Sequence, residues 1–139
     1  GMDSLSNQER ILLETTKSLR EDYLQQNAFD EVDTYTSKDK QLAMLRAIWG
    51  FYEACLGFAE RNSERLVSDV LDMELKNELA KMKYVSEQEL DKIVSLPKQF
   101  HDEVRRIEQA GEDGEPEKPP LHMSISHLDT DIDQANGGE

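Results

Sequence analysis

The sequence contains little cysteine and no long hydrophobic run. Cys55 is the single cysteine, so no disulfide can form within the chain, and an intracellular protein is expected. The most apolar stretch, residues 47–59, is interrupted by Glu53 and is predicted to be too short and too polar to span a bilayer. Residues 1–10 lack the apolar core of a signal peptide. These features predict a chain that does not insert into a membrane.

Basic residues are also scarce. Sixteen Lys and Arg residues face 30 Asp and Glu residues, which gives a net charge of −14 over 139 residues. Phosphate backbones and anionic lipid surfaces select clusters of Lys and Arg, so neither nucleic acid nor a membrane surface is an expected partner. Residues 111–139 carry eight of the carboxylates and a single lysine, and therefore half of the negative excess. The charge favours a protein partner with a basic surface.

Motifs that would carry chemistry are missing as well. Neither G-x-x-x-x-G-K-[ST] nor G-x-G-x-x-G occurs, so the sequence has no known backbone cradle for phosphate. His122 and His127 lie near three aspartates but do not share a helical face, so a solvated acidic segment is preferred to a metal site. Cys55 is interpreted as a buried, inert thiol and His101 as an exposed surface residue. We therefore predict no catalytic residue, no metal ligand and no cofactor in this chain.

Apolar residues recur at helical spacing in the first half of the sequence. A capping box from Ser6 to Glu9 predicts a helix over residues 7–25. Ser37 is the expected N-cap of a second helix, which is the most apolar and should form the centre of the core. Gly50 and Gly57 are expected to let a neighbouring helix approach it closely. The predicted apolar stripe of this helix consists of Leu42, Leu45, Ile48, Trp49, Tyr52, Cys55, Leu56 and Phe58.

Three further helices are predicted in the second half. The third runs from about Ser63 to Tyr84, and the fourth begins at a second capping box in residues 86–89. A break is expected near Ser95 and Leu96, followed by a fifth helix that has Pro97 in its first turn and ends near Gly111. Acidic residues are expected to pair with basic neighbours on the same helix, as in Glu14 with Lys17 and Glu74 with Lys76.

The fold class that follows is all-α. Residues 1–110 are predicted to form a compact bundle of about five helices. Residues 111–139 are predicted to form an acidic, flexible tail that contains Pro and Gly, because its first part has no apolar residue with which to offset its ordering entropy.

The segment between the first two helices carries a specific motif. Residues 23–29 (YLQQNAF) followed by residues 32–35 (VDTY) resemble a segment of the catalytic A (alpha) subunit of archaeal/vacuolar-type rotary ATPases. Residues 81–90 resemble later helices of the same subunit, so the resemblance extends from about residue 1 to residue 108. Residues 1–9 are similar to the acidic, stalk-facing loop of the related F-type β subunit, although Ser4, Asn7 and Gln8 stand where that loop has acids.

The resemblance implies the C-terminal helical domain of a larger ATP-hydrolysing or ATP-synthesising subunit. Phe29 and Tyr35 match family aromatics that form one wall of the adenine pocket, and Asp3, Ser4, Leu5 and Ser6 fall in the turn that contacts the central stalk. The phosphate-binding loop and the Mg²⁺ ligands of the family belong to domains outside this sequence. The chain alone is therefore expected not to be an enzyme, whereas the full-length subunit binds ATP or ADP with Mg²⁺.

The same resemblance implies a set of partners. These are the remaining domains of the subunit, the non-catalytic B subunit and the central stalk of a complex that moves protons or sodium ions. The complex would be peripheral to a membrane, on its cytoplasmic side. Apolar surface that those domains normally cover could also cause the isolated domain to self-associate.

Two other functions remain open at this point. A free-standing acidic helical adaptor for a basic protein fits the charge and the capped helices equally well. An independent hydrolase with a carboxylate or metal centre has little support in the sequence. A longer reading frame with a phosphate-binding loop upstream would distinguish the rotary ATPase subunit from the adaptor.

Overall fold

The computed structural model describes residues 4–25 and 36–112, which are helical and contain no strand. This confirms the predicted all-α class. The α-helices are α1 (Asn7–Ser18), α2 (Lys38–Arg61), α3 (Ser68–Leu71), α4 (Asn77–Lys81), α5 (Asp91–Val94) and α6 (Leu96–Glu112). A π-helix, Leu19–Leu24, extends α1, and three 3-10 turns, Glu74–Lys76, Met82–Tyr84 and Glu87–Glu89, connect the later helices.

The chain separates into two units, Gly1–Glu108 and Gln109–Glu139. The predicted acidic tail lies outside the described residues except for Gly111 and Glu112, so its boundary and its role remain predictions. α6 passes through Gly111 and reaches Glu112. The last described residue of this helix is thus one position past the predicted end near Gly111.

The beginning of α1 has the predicted capping box. Ser6 is the N-cap: its backbone N–H donates to Glu9 Oε2 at 2.7 Å, and the Glu9 N–H donates to Ser6 Oγ at 3.2 Å. The helical conformation continues to Leu24, close to the predicted end at residue 25, but the last turns are wider. The Gln25 N–H donates to the carbonyl of Arg20 at 3.1 Å, which is the i to i−5 bond of a π-helix.

α2 is the central helix of the bundle, as the sequence predicted, and Ser37 caps it. Phe51, Phe58 and Cys55 are fully buried on its inner face. Phe51 meets Phe100 of α6 edge to face, with ring centroids 5.4 Å apart. The core that surrounds them consists of Ile11, Val67, Val70, Leu71, Met73, Leu79, Met82, Ile93, Leu96, Phe100 and Val104. α2 therefore supplies the surface on which the other helices bury their apolar residues.

The prediction of which side chains of α2 face the core is partly wrong. Leu42, Leu45 and Trp49 were expected in the apolar stripe but are 46%, 37% and 58% exposed. The buried positions are instead taken largely by small or unbranched residues, namely Ala43, Met44, Ala47 and Ala54, together with Ile48 and the aromatic rings. Small side chains allow neighbouring backbones to come close, so they face the core although Leu and Trp are more hydrophobic. Leu42, Leu45 and Trp49 form an outer face of α2.

The composition of α2 also bears on membrane insertion. By length and composition alone it is apolar enough to cross a membrane, although the sequence was predicted to be too short and too polar there. Half of its most apolar window is buried inside the molecule, and the interior of the bundle accounts for that composition.

The predicted third helix, residues 63–84, is broken into short pieces. Met73 adopts an extended ψ of 140° between α3 and the turn Glu74–Lys76. Because residues two apart on a continuous helix point in nearly opposite directions, Leu71 and Met73 could not both face one core. The break at Met73 allows both to be buried, at 8% and 6% exposure. Packing of apolar side chains therefore overrides the helical period here.

The second predicted capping box is also wrong. Ser86 makes no side-chain capping bond, and residues 87–89 form a 3-10 turn instead of the first turn of a long α-helix. The Glu87 carboxylate, inside the predicted box, accepts hydrogen bonds from Ser37. The break at Ser95 and the start of α6 around Pro97 are confirmed, since Pro97 lies in the first turn of that helix.

Gly50 and Gly57 provide a matched test of close packing. A Cβ at Gly50 would lie 2.7 Å from both Cα and Cβ of Pro97, whereas a Cβ at Gly57 would meet only the Arg61 guanidinium of the same helix. We predict that Gly50→Ala destabilises the fold, because overpacking costs about 1–3 kcal/mol and exceeds the ~1 kcal/mol that Ala gains over Gly in a helix. Gly57→Ala should be neutral or stabilising. Urea unfolding measures both, and equal effects would contradict the close contact at Gly50.

Candidate functional site

The turn before α1 is one of the two regions to which the sequence assigned a role. Ser4 and Ser6 are exposed and Leu5 is half-buried. Asp3 lies outside the described residues. The capping box fixes the direction in which the chain leaves this turn, because it satisfies an N–H at each end of the first helical turn. The structure therefore describes Ser4, Leu5 and Ser6 as a surface turn anchored on α1.

This turn lies beside the C-terminal end of α2. Ser6, Asn7 and Gln8 line an open cleft of about 240 Å³ together with Ala59, Glu60 and Ser63. All of these residues except Ala59 have polar side chains, and Glu60 is the one titratable residue among them. Such a surface can contact another protein through hydrogen bonds, but it offers no nucleophile or acid–base pair.

The charge of the turn depends on Glu9. The pKa of this carboxyl is lowered because the Ser6 N–H, and secondarily the Ser6 side chain, hydrogen-bond it. Since the folded state lowers the pKa, the bond stabilises the fold above the ordinary carboxyl pKa. That contribution is lost as the pH falls through the lowered value. Near neutral pH the turn therefore keeps its negative charge and its geometry.

Residues 26–35 are the second region, and Phe29 and Tyr35 both lie outside the described residues. The structure describes the two flanks of this region. The preceding flank is the π-helix that ends at Leu24, and the following flank is Ser37 with the first turn of α2. Neither the position nor the contacts of the two aromatic rings are described, so their role remains a prediction.

One short segment contacts both of these flanks. Lys83 Nζ donates to the carbonyl of Glu21 in the π-helix at 3.4 Å, and Lys40 Nζ of α2 donates to the carbonyl of Lys83 at 2.7 Å. Glu87 accepts two hydrogen bonds from Ser37, one from the backbone N–H at 3.1 Å and one from Oγ at 2.7 Å. Residues 83–87 thus connect the end of the π-helix to the start of α2.

The sequence missed these connections. Lys40 was not singled out, although it is fully buried. No partner was predicted for Glu87, and Glu14 and Lys76 were expected to pair with close neighbours. Glu14 instead pairs with Lys76, 62 positions away. The signal available in the sequence was only the excess of carboxylates, since a partner so distant cannot be identified from local spacing.

The described residues do not bring catalytic groups together. No group of three or more His, Cys, Asp and Glu side chains is placed to hold a metal ion in residues 4–25 and 36–112. His101 is about half exposed and lies 4.0 Å from Glu53. Burial raises the pKa of the Cys55 thiol to about 12, so at neutral pH it is protonated and a poor nucleophile. Cys55 is thus the buried thiol that the sequence predicted, and His101 is exposed.

The described residues form a helical domain. The model of the family "C-terminal domain of V and A type ATP synthase" matches residues 1–72. The chain belongs to this family, which confirms the resemblance found in the sequence.

Curated relatives show the same assignment. The chain is 40% identical over 113 residues to the V-type ATP synthase alpha chain of Clostridium botulinum (strain Hall), in a match that covers 80% of this chain and 18% of the relative. The alpha chain of the Okra strain is 45% identical over 96 residues, 69% of this chain and 16% of the relative. That of Clostridium perfringens (strain 13) is 42% identical over 113 residues, 80% of this chain and 18% of the relative. The chain thus spans less than one fifth of the length of these relatives.

Cys55 gives a direct test of the described core. We predict that a thiol reagent such as DTNB leaves Cys55 unmodified in the native chain at neutral pH, because the side chain is fully buried and its pKa is raised. Full reaction should follow unfolding in denaturant, which serves as the control. Rapid labelling of the native chain would contradict the position of Cys55 in the core.

Proposed function

We propose that this chain is the C-terminal helical domain of the catalytic alpha subunit of a rotary ATPase and acts as a mechanical element of that subunit. The family match carries the proposal. It is supported by the small share of each relative that the chain covers and by the lack of a phosphate-binding motif. The chain alone performs no hydrolysis, while the full-length subunit hydrolyses or makes ATP with Mg²⁺ and drives proton or sodium transport.

The partners follow from this role. The remaining domains of the subunit cover part of the bundle, and the B subunit and central stalk complete its surroundings, in a complex peripheral to a membrane on the cytoplasmic side. The outer face of α2 supports this assignment, because Leu42, Leu45 and Trp49 are exposed there and exposed apolar surface marks contact sites. In the isolated domain the same face would favour self-association.

The stalk contact is assigned to the turn of Asp3, Ser4, Leu5 and Ser6. Its supporting features are its exposure and the capping box that holds it rigidly on α1. A mechanical contact needs such stiffness, because a turn that yields cannot transmit displacement. α2, which runs from Lys38 to Arg61 beside this turn, provides a long rigid element behind it.

A substitution in the complete complex tests the stalk contact. We predict that Leu5→Ala combined with Ser6→Asp lowers ion transport per ATP hydrolysed, because the contact surface changes while Asp still caps α1. Few interface residues contribute more than about 1 kcal/mol, so we expect a partial loss on the order of twofold to fivefold. The measurement is the ratio of ions moved to ATP consumed, with Val94→Ala, at an exposed position of α5, as the control. An unchanged ratio would exclude the turn from coupling.

The nucleotide contact is assigned to Phe29 and Tyr35 as one wall of the adenine pocket. Stacking on an aromatic contributes ~1–3 kcal/mol per contact. Two such stacking contacts give at most about 6 kcal/mol, against an association cost of about 4 kcal/mol or more. The difference corresponds to a dissociation constant of about millimolar or weaker. The remaining binding free energy must come from phosphate and Mg²⁺ contacts elsewhere in the subunit.

The weak affinity expected from these two aromatic rings leads to a prediction for the chain alone. We predict no measurable ATP binding to the 139-residue chain in isothermal titration calorimetry, with or without Mg²⁺. The complete alpha subunit with its partner serves as the positive control. A micromolar dissociation constant for the chain alone would show that the phosphate-binding function lies within it and would overturn the proposed division of roles.

The adaptor function is less well supported. Its basis was the negative charge and the capped helices, and both are equally compatible with a domain of the ATP synthase family. No contact among the described residues favours it over the rotary assignment.

A further inference from the structure

The outer face of α2 carries a second apolar stripe, opposite the face that forms the core. Its members, which we call the α2 seam, recur at intervals of three, four, three, four and three residues: Leu42, Leu45, Trp49, Tyr52, Leu56 and Ala59. The first three are exposed and the last three are partly exposed. This alternation is the a and d pattern of a coiled coil, in which side chains of one helix insert between those of another. The spacing of the seam is therefore suited to a second helix.

Trp49 is the most exposed member of the seam, at 58%, yet its ring is held in place. Its Nε1 donates to the Glu53 carboxylate, and its ring centroid lies 5.2 Å from that of Tyr52. A side chain that is already fixed loses little conformational entropy when a partner covers it. Trp and Tyr are also enriched among the residues that contribute most to protein interfaces. The centre of the seam thus has the composition of a binding surface.

Two charged residues of opposite sign flank the seam on one side. Arg46 follows Leu45 and Glu53 follows Tyr52, so both occupy the position after a d residue, and both are exposed. Charges at such positions form ion pairs between helices and select the partner and its orientation. The flank of the seam therefore offers one positive and one negative group to a neighbouring helix.

An antiparallel pair of α2 helices makes this seam complementary to itself. Two-fold symmetry places the same surface on both copies, so every contact occurs twice. In the register that centres the seam, the layers are Leu42 with Ala59, Leu45 with Leu56, and Trp49 with Tyr52 of the second copy. Arg46 then lies on the same side of the interface as Glu53 of the second copy, two positions away along the axis. At each end, Glu60 faces both Lys38 and Asp39, whose charges offset one another.

A parallel pair lacks this charge complementarity. Each residue of the seam would pack on its own counterpart, so that Trp49 would meet Trp49. Arg46 would then face Gln41 of the second copy, and Glu53 would face the position of Ile48, which is buried in the core of its own molecule. The opposite charges on the flank are therefore used only when the helices run in opposite directions.

We propose that the α2 seam binds a second copy of this chain as an antiparallel helix pair, held by the apolar layers and by two ion pairs between Arg46 and Glu53. The inference goes beyond the proposed function and does not depend on it, because it concerns the chain with no other polypeptide on this face. The net charge of −14 opposes association. Physiological salt screens that repulsion beyond about 8 Å, whereas the apolar layers act at contact distance.

The test measures association of the 139-residue chain by analytical ultracentrifugation at rising concentration and physiological ionic strength. Trp49 is the single tryptophan, so its emission should shift to shorter wavelength as dimers form. Leu45→Glu should abolish the dimer, because it places a carboxylate in an apolar layer. Val94→Glu is the matched control, since Val94 is also exposed but lies on α5, and it should leave the dimer unchanged. Urea unfolding of each variant verifies that the fold is retained.

A charge exchange tests the orientation. Arg46→Glu and Glu53→Arg should each weaken the dimer about tenfold, because two attractive pairs become repulsive. The double variant, Arg46→Glu with Glu53→Arg, restores opposite charges and should recover most of the affinity. Cysteine cross-linking provides a second measurement: a mixture of Leu45→Cys and Leu56→Cys chains should form disulfide-linked dimers, whereas Leu45→Cys alone should not. Cys55 does not interfere, because it is fully buried.

The outcomes are distinct. A dimer that is lost in Leu45→Glu, retained in Val94→Glu and recovered by the charge exchange supports the proposal. A chain that stays monomeric at every concentration overturns it and leaves the proposed function standing. A dimer that persists in folded Leu45→Glu also overturns it, because the contact then lies elsewhere. Cross-linking of Leu45→Cys to itself would overturn the antiparallel arrangement.

Discussion

The inner face of α2 is the surface on which the rest of the bundle depends. Phe51 lies at its centre and contacts Phe100 edge to face. The Lys76 Nζ lies 5.6 Å from the centroid of the Phe51 ring. The neighbouring residue, Gly50, has no Cβ, and Pro97 of α6 lies so close that a Cβ there would clash with it. α1 and α5 pack against α2, and α6 contacts it through Phe100 and Pro97. A change in the small residues of α2 would therefore move several helices at once, whereas a change on its outer face would not.

Polar contacts between distant segments then define how the shorter helices are placed. Arg65 stacks on Phe58, with its guanidinium carbon 5.0 Å from the ring centroid, and donates to the carbonyl of Ile107. Arg61 pairs with Glu108 of α6. Exposed pairs of this kind contribute little free energy individually, about 0–1 kcal/mol each. Their importance lies in direction: they select one arrangement among several that would bury similar apolar area.

The described residues also bear on function. The described residues contain no metal-binding cluster, and their one thiol is buried. On the proposed function, the phosphate and Mg²⁺ contacts lie on other polypeptide, and this domain contributes stiffness through α2 and the capped α1.

The sequence by itself determined the helical class, the caps at Ser6 and Ser37, the central position of α2 and the family, because each depends on residues close together in the chain. A hydroxyl before a helix satisfies the same N–H groups in any surroundings. Only the tertiary structure decided which face of α2 turns inward, why residues 63–84 break at Met73, and that Glu87 bonds Ser37. In each case the favoured conformation is set by a partner many residues away, such as the core that receives both Leu71 and Met73. Local spacing carries no information about such a partner.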